Sequence, residues 1–152
     1  MPLISRAAFV IAERQCYTLI MNTKSIKQAP VINAKPQEIY KIWLTSKLHG
    51  KMIGSTAKIQ SKVGGKFSIF DGEIVGQTIE LKPNKRIVQL WRYNYADWPE
   101  EQMSKITLEL VLYRGKTRIR FWHSGIPSKY AKDIAQGWKE YYWKPLQEQF
   151  AE

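Results

Sequence analysis

The sequence predicts an α+β fold: a curved antiparallel sheet of about six strands wrapped around a long C-terminal helix, with two short helices after the first strand. Three observations carry this expectation. Residues 36–54 show helical spacing and are ended by glycine. From Ala57 to His123 the apolar period is two, broken by Gly, Asn and Asp at intervals. From Lys129 to Phe150 the period returns to that of a helix. The 152 residues suit one domain, residues 23–152, with residues 1–22 as an extension. Met21 stands where regular patterning begins, so residues 1–22 read as an extra helix or as an upstream extension, and the second is preferred.

Residues 25–33 alternate around Pro30 and predict a strand whose proline marks an edge or a bend. Pro36 suits a first helical position, and Ile39, Tyr40, Trp43 and Leu44 continue a short helix. A second short turn follows, ended by Gly50 or Gly54. Residues 58–63 form a modest strand, broken by Gly64–Gly65, a pair that permits a turn or bulge. In KFSIFDGEIV, Asp71–Gly72 is the dipeptide of a type I′ hairpin turn, because both central positions take positive φ. Gly76 is expected to bend the next strand, which runs on through Leu81. KPNK is a turn, residues 86–93 a strand, residues 95–103 a loop and residues 104–113 a strand. Arg114–Gly115 turns into a last strand at 117–123; GIPS ends the sheet, with Ser128 as a candidate helix N-cap.

The final helix carries GWKEYYWKP, with Trp138, Tyr141, Tyr142 and Trp143 inside six positions. Ala131, Ile134, Trp138, Tyr142, Leu146 and Phe150 fall near one face, which the sheet should cover. Gly137 costs about 1 kcal/mol in a helix interior relative to alanine. Close approach to the sheet, or a gap left for a cavity, would offset that cost. Pro145 removes one hydrogen bond and crowds the carbonyl of Tyr141, so a bend is expected near residues 141–144.

Composition narrows the function classes. Cys16 is the single cysteine, so no internal disulfide forms, which fits a reducing compartment. His49 and His123 lie far apart and make a poor metal set; no metal or other cofactor is expected. No apolar run approaches the ~20 residues of a membrane span, and no signal-like segment opens the chain, so a cytoplasmic protein is expected. Net charge is +11 and uneven: residues 23–70 hold nine lysines and one acid, Glu38. Such a patch draws acidic partners of any kind, although lysine, a point charge, recognises phosphate and bases less specifically than arginine.

Catalytic patterns are missing. There is no G-x-S-x-G, P-loop or dinucleotide fingerprint, so no enzymatic activity is expected, with conversion of a small apolar ligand in a cavity between long helix and sheet as the alternative. His123 reads as a hydrogen-bonded histidine at the sheet edge rather than a general base, and His49 as a solvated residue of a Lys-rich loop. Asp97, Glu100 and Glu101 form an acidic loop; Glu80, Arg92, Glu109 and Arg118 are placed to pair across the sheet.

Five segments, VGGKFSIFDGEIVGQ, LKPNKRIVQLWR, DWPEE, HSGIP and GWKEYYWKPL, occur in that order and together resemble the C-terminal domain of the activators of the heat-shock protein 90 ATPase, the AHSA type. The likeness runs from about Val31 to Phe150. It implies the helix-grip fold of START-like and pollen-allergen-like proteins, in which the space between long helix and sheet often holds an apolar ligand. It implies a domain that contacts the chaperone's nucleotide-binding domains and helps hold the closed, ATP-competent form. Those activators also carry a separate N-terminal domain that binds the chaperone's middle segment, and nothing in residues 1–152 resembles it.

Two candidate sites follow. Lys47, Lys51, Lys58, Lys62 and Lys66 would form a basic rim for an acidic protein partner, with heat-shock protein 90 the one the resemblance suggests. Phe67, Ile69, Trp91, Phe121, Trp138 and Tyr142 would line a cavity for a small apolar molecule. A third possibility, nucleic acid, rests on charge alone; single-strand binders expose aromatics between their basic residues, whereas these aromatics fall on inward faces.

Overall fold

The computed structural model describes residues 22–152, so the expectation for the N-terminal extension lies outside the described residues. Strand β1 (Thr23–Gln28) and the short β2 (Val31–Ile32) precede helices α1 (Pro36–Leu44) and α2 (Ser46–Ile53). Strands β3 (Ala57–Ile59), β4 (Lys66–Ile69), β5 (Ile74–Lys82), β6 (Arg86–Tyr93), β7 (Ser104–Tyr113) and β8 (Lys116–Pro127) follow. The chain closes with a 3₁₀ turn (Ser128–Tyr130), helix α3 (Ala131–Trp138), a π-helical turn (Lys139–Trp143) and helix α4 (Lys144–Gln149). The sheet is curved and antiparallel, ordered β1-β8-β7-β6-β5-β4-β3, with β2 also on β8. It has eight strands, where about six were expected. Pro30, which has no N–H to donate, splits the first strand in two, while its carbonyl still accepts the Ile119 N–H at 2.9 Å.

The helices begin and end for local reasons. Pro36 opens α1, and the Glu38 carboxylate accepts the Lys35 backbone N–H at 2.8 Å. Helix α2 ends at Gly54, which adopts φ +68°, so Gly54 rather than Gly50 is the terminator. His49 sits on α2 and is buried, not solvated.

Four local expectations are corrected. The hairpin between β4 and β5 pairs Ile69 with Ile74, leaving a four-residue loop at 70–73 instead of a two-residue turn. Phe70, Asp71 and Gly72 all take positive φ, at 53°, 56° and 86°. The loop is held by Thr56, whose carbonyl accepts the Phe70 N–H and whose hydroxyl accepts the Asp71 N–H and donates to its carboxylate. Gly76 does not carry the irregularity of β5, which falls between Thr78 and Glu80. A side chain at Gly76 would place Cβ 1.9 Å from the Leu90 carbonyl and 2.4 Å from the Phe67 ring. Its role is close approach: it lets Phe67 pass over the sheet to Trp91, with ring centroids 5.4 Å apart. GIP does not end the sheet; it continues β8, with Ile126 paired to Lys24. Ser128 opens the 3₁₀ turn but caps no helix, and its hydroxyl donates to Asn22.

The cross-strand charge pairs also differ from expectation. Arg86 is the hub, 2.9 Å from Glu80 and 2.6 Å from Glu109, while Arg120 stands 3.6 Å from Glu109. Arg92 donates instead to the carbonyls of Trp98 and Glu100, and Arg118 lies over the Tyr113 ring at 4.0 Å.

Where a bend was expected near residues 141–144, the helix makes a π turn. Lys144 N–H donates to the carbonyl of Lys139, five residues back. With no N–H at Pro145 to reach Tyr141, a wide turn accommodates the ring without breaking the helix. The C-terminal helical run presses Trp138, Tyr142, Trp143 and Leu146 onto the sheet, all buried. Gln28 ties it to the β1 edge, donating to the Ala135 carbonyl and accepting the Trp143 indole N–H.

Candidate functional site

Between the helical run and the sheet the core is mostly aromatic. Trp138 lies 4.4 Å from Phe121, 4.6 Å from Tyr142 and 4.9 Å from Trp91, centroid to centroid. Trp43 of α1 meets Tyr142 at 4.9 Å. Polar side chains are threaded through these rings and hydrogen-bond to one another. Gln89 Oε1 accepts the indole N–H of both Trp43 and Trp91 at 3.1 Å, and its amide donates to Thr78 Oγ1.

The two histidines have defined tautomers. Burial pushes His49 down to about 4 and His123 to about 3, so both rings are neutral near pH 7. His49 Nδ1 lies 2.8 Å from the Trp43 carbonyl, which only accepts, so Nδ1 carries the hydrogen. Nε2 therefore accepts from the Tyr142 hydroxyl at 2.9 Å. His123 is reversed. The Trp138 indole, which only donates, gives its N–H to Nδ1 at 3.0 Å. Nε2–H therefore donates to Ser104 Oγ at 2.8 Å, and Ser104 donates to the Trp91 carbonyl. His123 thus lies in the middle of the core, fully buried, rather than at the sheet edge. Neither ring faces an open position suited to a general base.

One cavity of about 350 Å³ interrupts this packing. Trp91, Trp138 and Tyr142 line it from the core side. Tyr93, Asn94 and Tyr95 line it from the end of β6, Phe70 and Glu73 from the β4–β5 loop, Ile74 from the start of β5, and Asp133, Ile134, Gly137 and Tyr141 from the helical run. Of the six residues proposed from the sequence, Phe67, Ile69 and Phe121 are instead packed into the core without reaching the cavity. Gly137 resolves the alternative left open for it. An added Cβ would meet nothing closer than Tyr141 at 3.9 Å, so the glycine leaves a gap rather than allowing a close contact. Tyr141 and Tyr95 are partly exposed at the mouth, and Tyr141 stacks edge-on against Phe70 at 5.6 Å. The helical contributors could have been found from spacing, because residues 133, 137 and 141 repeat every four. The contributors from loop 70–73 and from Tyr95 have no such period.

A second, wider groove of about 640 Å³ runs between the β1–β2 break and the outer side of the helix. It is shallow and lined mainly by exposed lysine, glutamate and glutamine side chains.

The five rim lysines are all exposed, and no ion pair involves them among the described residues. Lys47 and Lys51 lie one turn apart on α2. Lys58 on β3 pairs with Ser68, which puts Lys58 and Lys66 on the same outward face; Lys62 sits in the loop between these strands. The Ser46 hydroxyl accepts the Ile59 N–H at 2.9 Å, which fixes the start of α2 beside β3. The two lysine pairs therefore stand on adjacent elements, and none of the five lines the cavity. In the acidic loop, Asp97 is paired with Lys129 and Tyr130.

A curved antiparallel sheet gripping a long C-terminal helix, with two short helices inserted after the first strand, defines the helix-grip class of START-like domains. Within that class the chain belongs to the AHSA1 family, Activator of Hsp90 ATPase homolog 1-like protein, whose model matches residues 33–151. It is 32% identical over 115 residues to the human activator of 90 kDa heat shock protein ATPase homolog 1, a match covering 76% of this chain and 33% of that protein. The chain thus spans about a third of the length of the curated relatives it matches. Among solved structures, an HSP90 activator from Plasmodium falciparum superposes with a TM-score of 0.74 at 25% identity, covering 82% of this chain and 94% of that one. The Aha1 dimer from Colwellia psychrerythraea shares the fold, with a TM-score of 0.68 at 22% identity over 82% of this chain and 96% of that one.

Proposed function

We propose that this domain is a co-chaperone-like interaction module that binds heat-shock protein 90 and favours one conformation of it. The observation that carries this reading is the family match over residues 33–151, together with relatives named as activators of that chaperone's ATPase. The unpaired lysines on α2, β3 and β4 supply a surface suited to an acidic protein. Such a module alters its partner only through unequal affinity for two states. The test is calorimetric titration with the chaperone from the same organism, with and without an ATP analogue, at two salt concentrations. Binding should tighten with the analogue and weaken with salt. The triple change Lys58→Glu, Lys62→Glu, Lys66→Glu should weaken it by roughly tenfold or more. Unchanged affinity in the triple variant would rule out this docking surface.

A second reading is favoured by the cavity: the cleft beside Gly137 takes a small molecule with an apolar body. Its volume lies within the ~300–1,000 Å³ range of ligand sites, and a helix-interior glycine keeps it open.

A further inference from the structure

In a chain with 24 lysines and arginines against 13 aspartates and glutamates, the cleft lining holds two carboxylates and no basic side chain. Glu73 comes from the sheet side. Its backbone carbonyl accepts the Asn94 N–H at 2.7 Å, which sets it beside Tyr93 and Tyr95. Asp133 comes from the helix side, one turn before Gly137. Neither carboxylate has an ion-pair partner among the described residues. Both act on the same phenol: the Tyr95 hydroxyl is pushed up by burial first, then by the charges of Asp133 and Glu73. Aromatic rings line the same cleft, with Tyr93 and Tyr95 5.6 Å apart.

Ring faces are negative and their edges positive, so aromatic walls and carboxylates favour the same sign of guest. An anion would meet two like charges. A neutral guest would partly desolvate those carboxylates with nothing in return. Lys129, which lies over the Tyr130 ring that packs on Tyr95, is already paired with Asp97.

We propose that the cleft binds an organic cation, an ammonium on an apolar body, with the ammonium between Glu73, Asp133 and the tyrosine rings and the apolar part in the gap over Gly137. This rests on the small-molecule reading of the cleft.

The experiment uses benzyltrimethylammonium and its neutral carbon isostere neopentylbenzene, read by tryptophan fluorescence and by amide NMR shifts at Asn94 and Gly137. The cation should bind about tenfold tighter than the isostere, the range expected when a cation meets aromatic faces partly out of water. Glu73→Gln and Asp133→Asn should each weaken the cation several-fold and leave the isostere unchanged. Gly137→Leu, a favourable helix substitution, should block both probes while far-UV circular dichroism is retained. Equal affinity for the two probes, insensitive to the carboxylates, would overturn cation recognition and leave a small-molecule cleft standing. No saturable binding of either probe would overturn both readings.

Discussion

At the scale of single residues, the decisive feature is that single-role polar groups in the core fix the roles of their partners. An indole N–H can only donate, and two of them converge on the Oε1 of Gln89. Replacing that amide with an apolar group of similar size leaves both donors unsatisfied away from water. A buried orphan donor costs about 1–3 kcal/mol. Gln89→Leu should therefore lower unfolding free energy by roughly 3 kcal/mol, measured by urea denaturation with an unchanged m-value. A loss below about 1 kcal/mol would mean that the indoles reach other acceptors. Gln89 is invisible to pattern reading, because a glutamine within a strand looks like a solvent-facing residue. His49 was concealed in the same way: lysines at 47 and 51 disguise an inward position on a short amphipathic helix. Trp91, Trp138 and Tyr142 were legible as lining residues because they follow regular periods.

At the scale of elements, two glycines interrupt regular structure for opposite reasons, and alanine separates them. In β5, Gly76 has no room for a methyl, since the Leu90 carbonyl would lie 1.9 Å away. Gly76→Ala should cost about 3 kcal/mol, the upper range for overpacking a filled site. In α3, Gly137 has room, and alanine is about 1 kcal/mol better than glycine in a helix interior. Gly137→Ala should raise stability by up to about 1 kcal/mol while narrowing the cleft. Thermal unfolding of the two variants should move in opposite directions; movement in the same direction would contradict the assigned roles. The boundaries of α1, β6 and β7 were readable to the residue, because a proline, a charged turn and strict alternation delimit them. Loop 70–73 was not. Asp-Gly promises a two-residue turn, but Thr56 holds Phe70 as well in a left-handed conformation that nothing in its side chain advertises. Backbone strain of this kind, at the edge of a cleft, depends on tertiary partners.

At the scale of the molecule, the buried neutral histidines couple stability to acidity. Both have folded pKa values below the unfolded value of about 6.5, at about 4 for His49 and about 3 for His123. The unfolded chain therefore binds more protons between pH 6.5 and 4. Their contribution is fully present above pH 6.5 and is lost as pH falls through that window. The slope should approach ~1.4 kcal/mol per pH unit for each histidine. Denaturation at pH 7, 6 and 5, above the carboxylate range, should show the fall. The double variant His49→Gln, His123→Gln keeps a donor and an acceptor at each place and should flatten it. An unchanged slope would place the titrating groups elsewhere. The helix-grip architecture was legible from the alternation of periods and from five ordered segments. The separation of a lysine-bearing edge from an acid-lined cleft was not, because Glu73 and Asp133 are sixty positions apart and meet only when the helix closes on the sheet.

The clustering of Trp43, Trp91, Trp138 and Trp143, at centroid spacings of 4.9 to 6.2 Å, also makes the core an optical antenna. Light absorbed by one indole can migrate among the four before it is emitted, and two of them border the cleft. A quencher seated beside Trp91 and Trp138 would dim the emission of all four. A quencher placed there would therefore report on more of the emission than one beside a lone tryptophan.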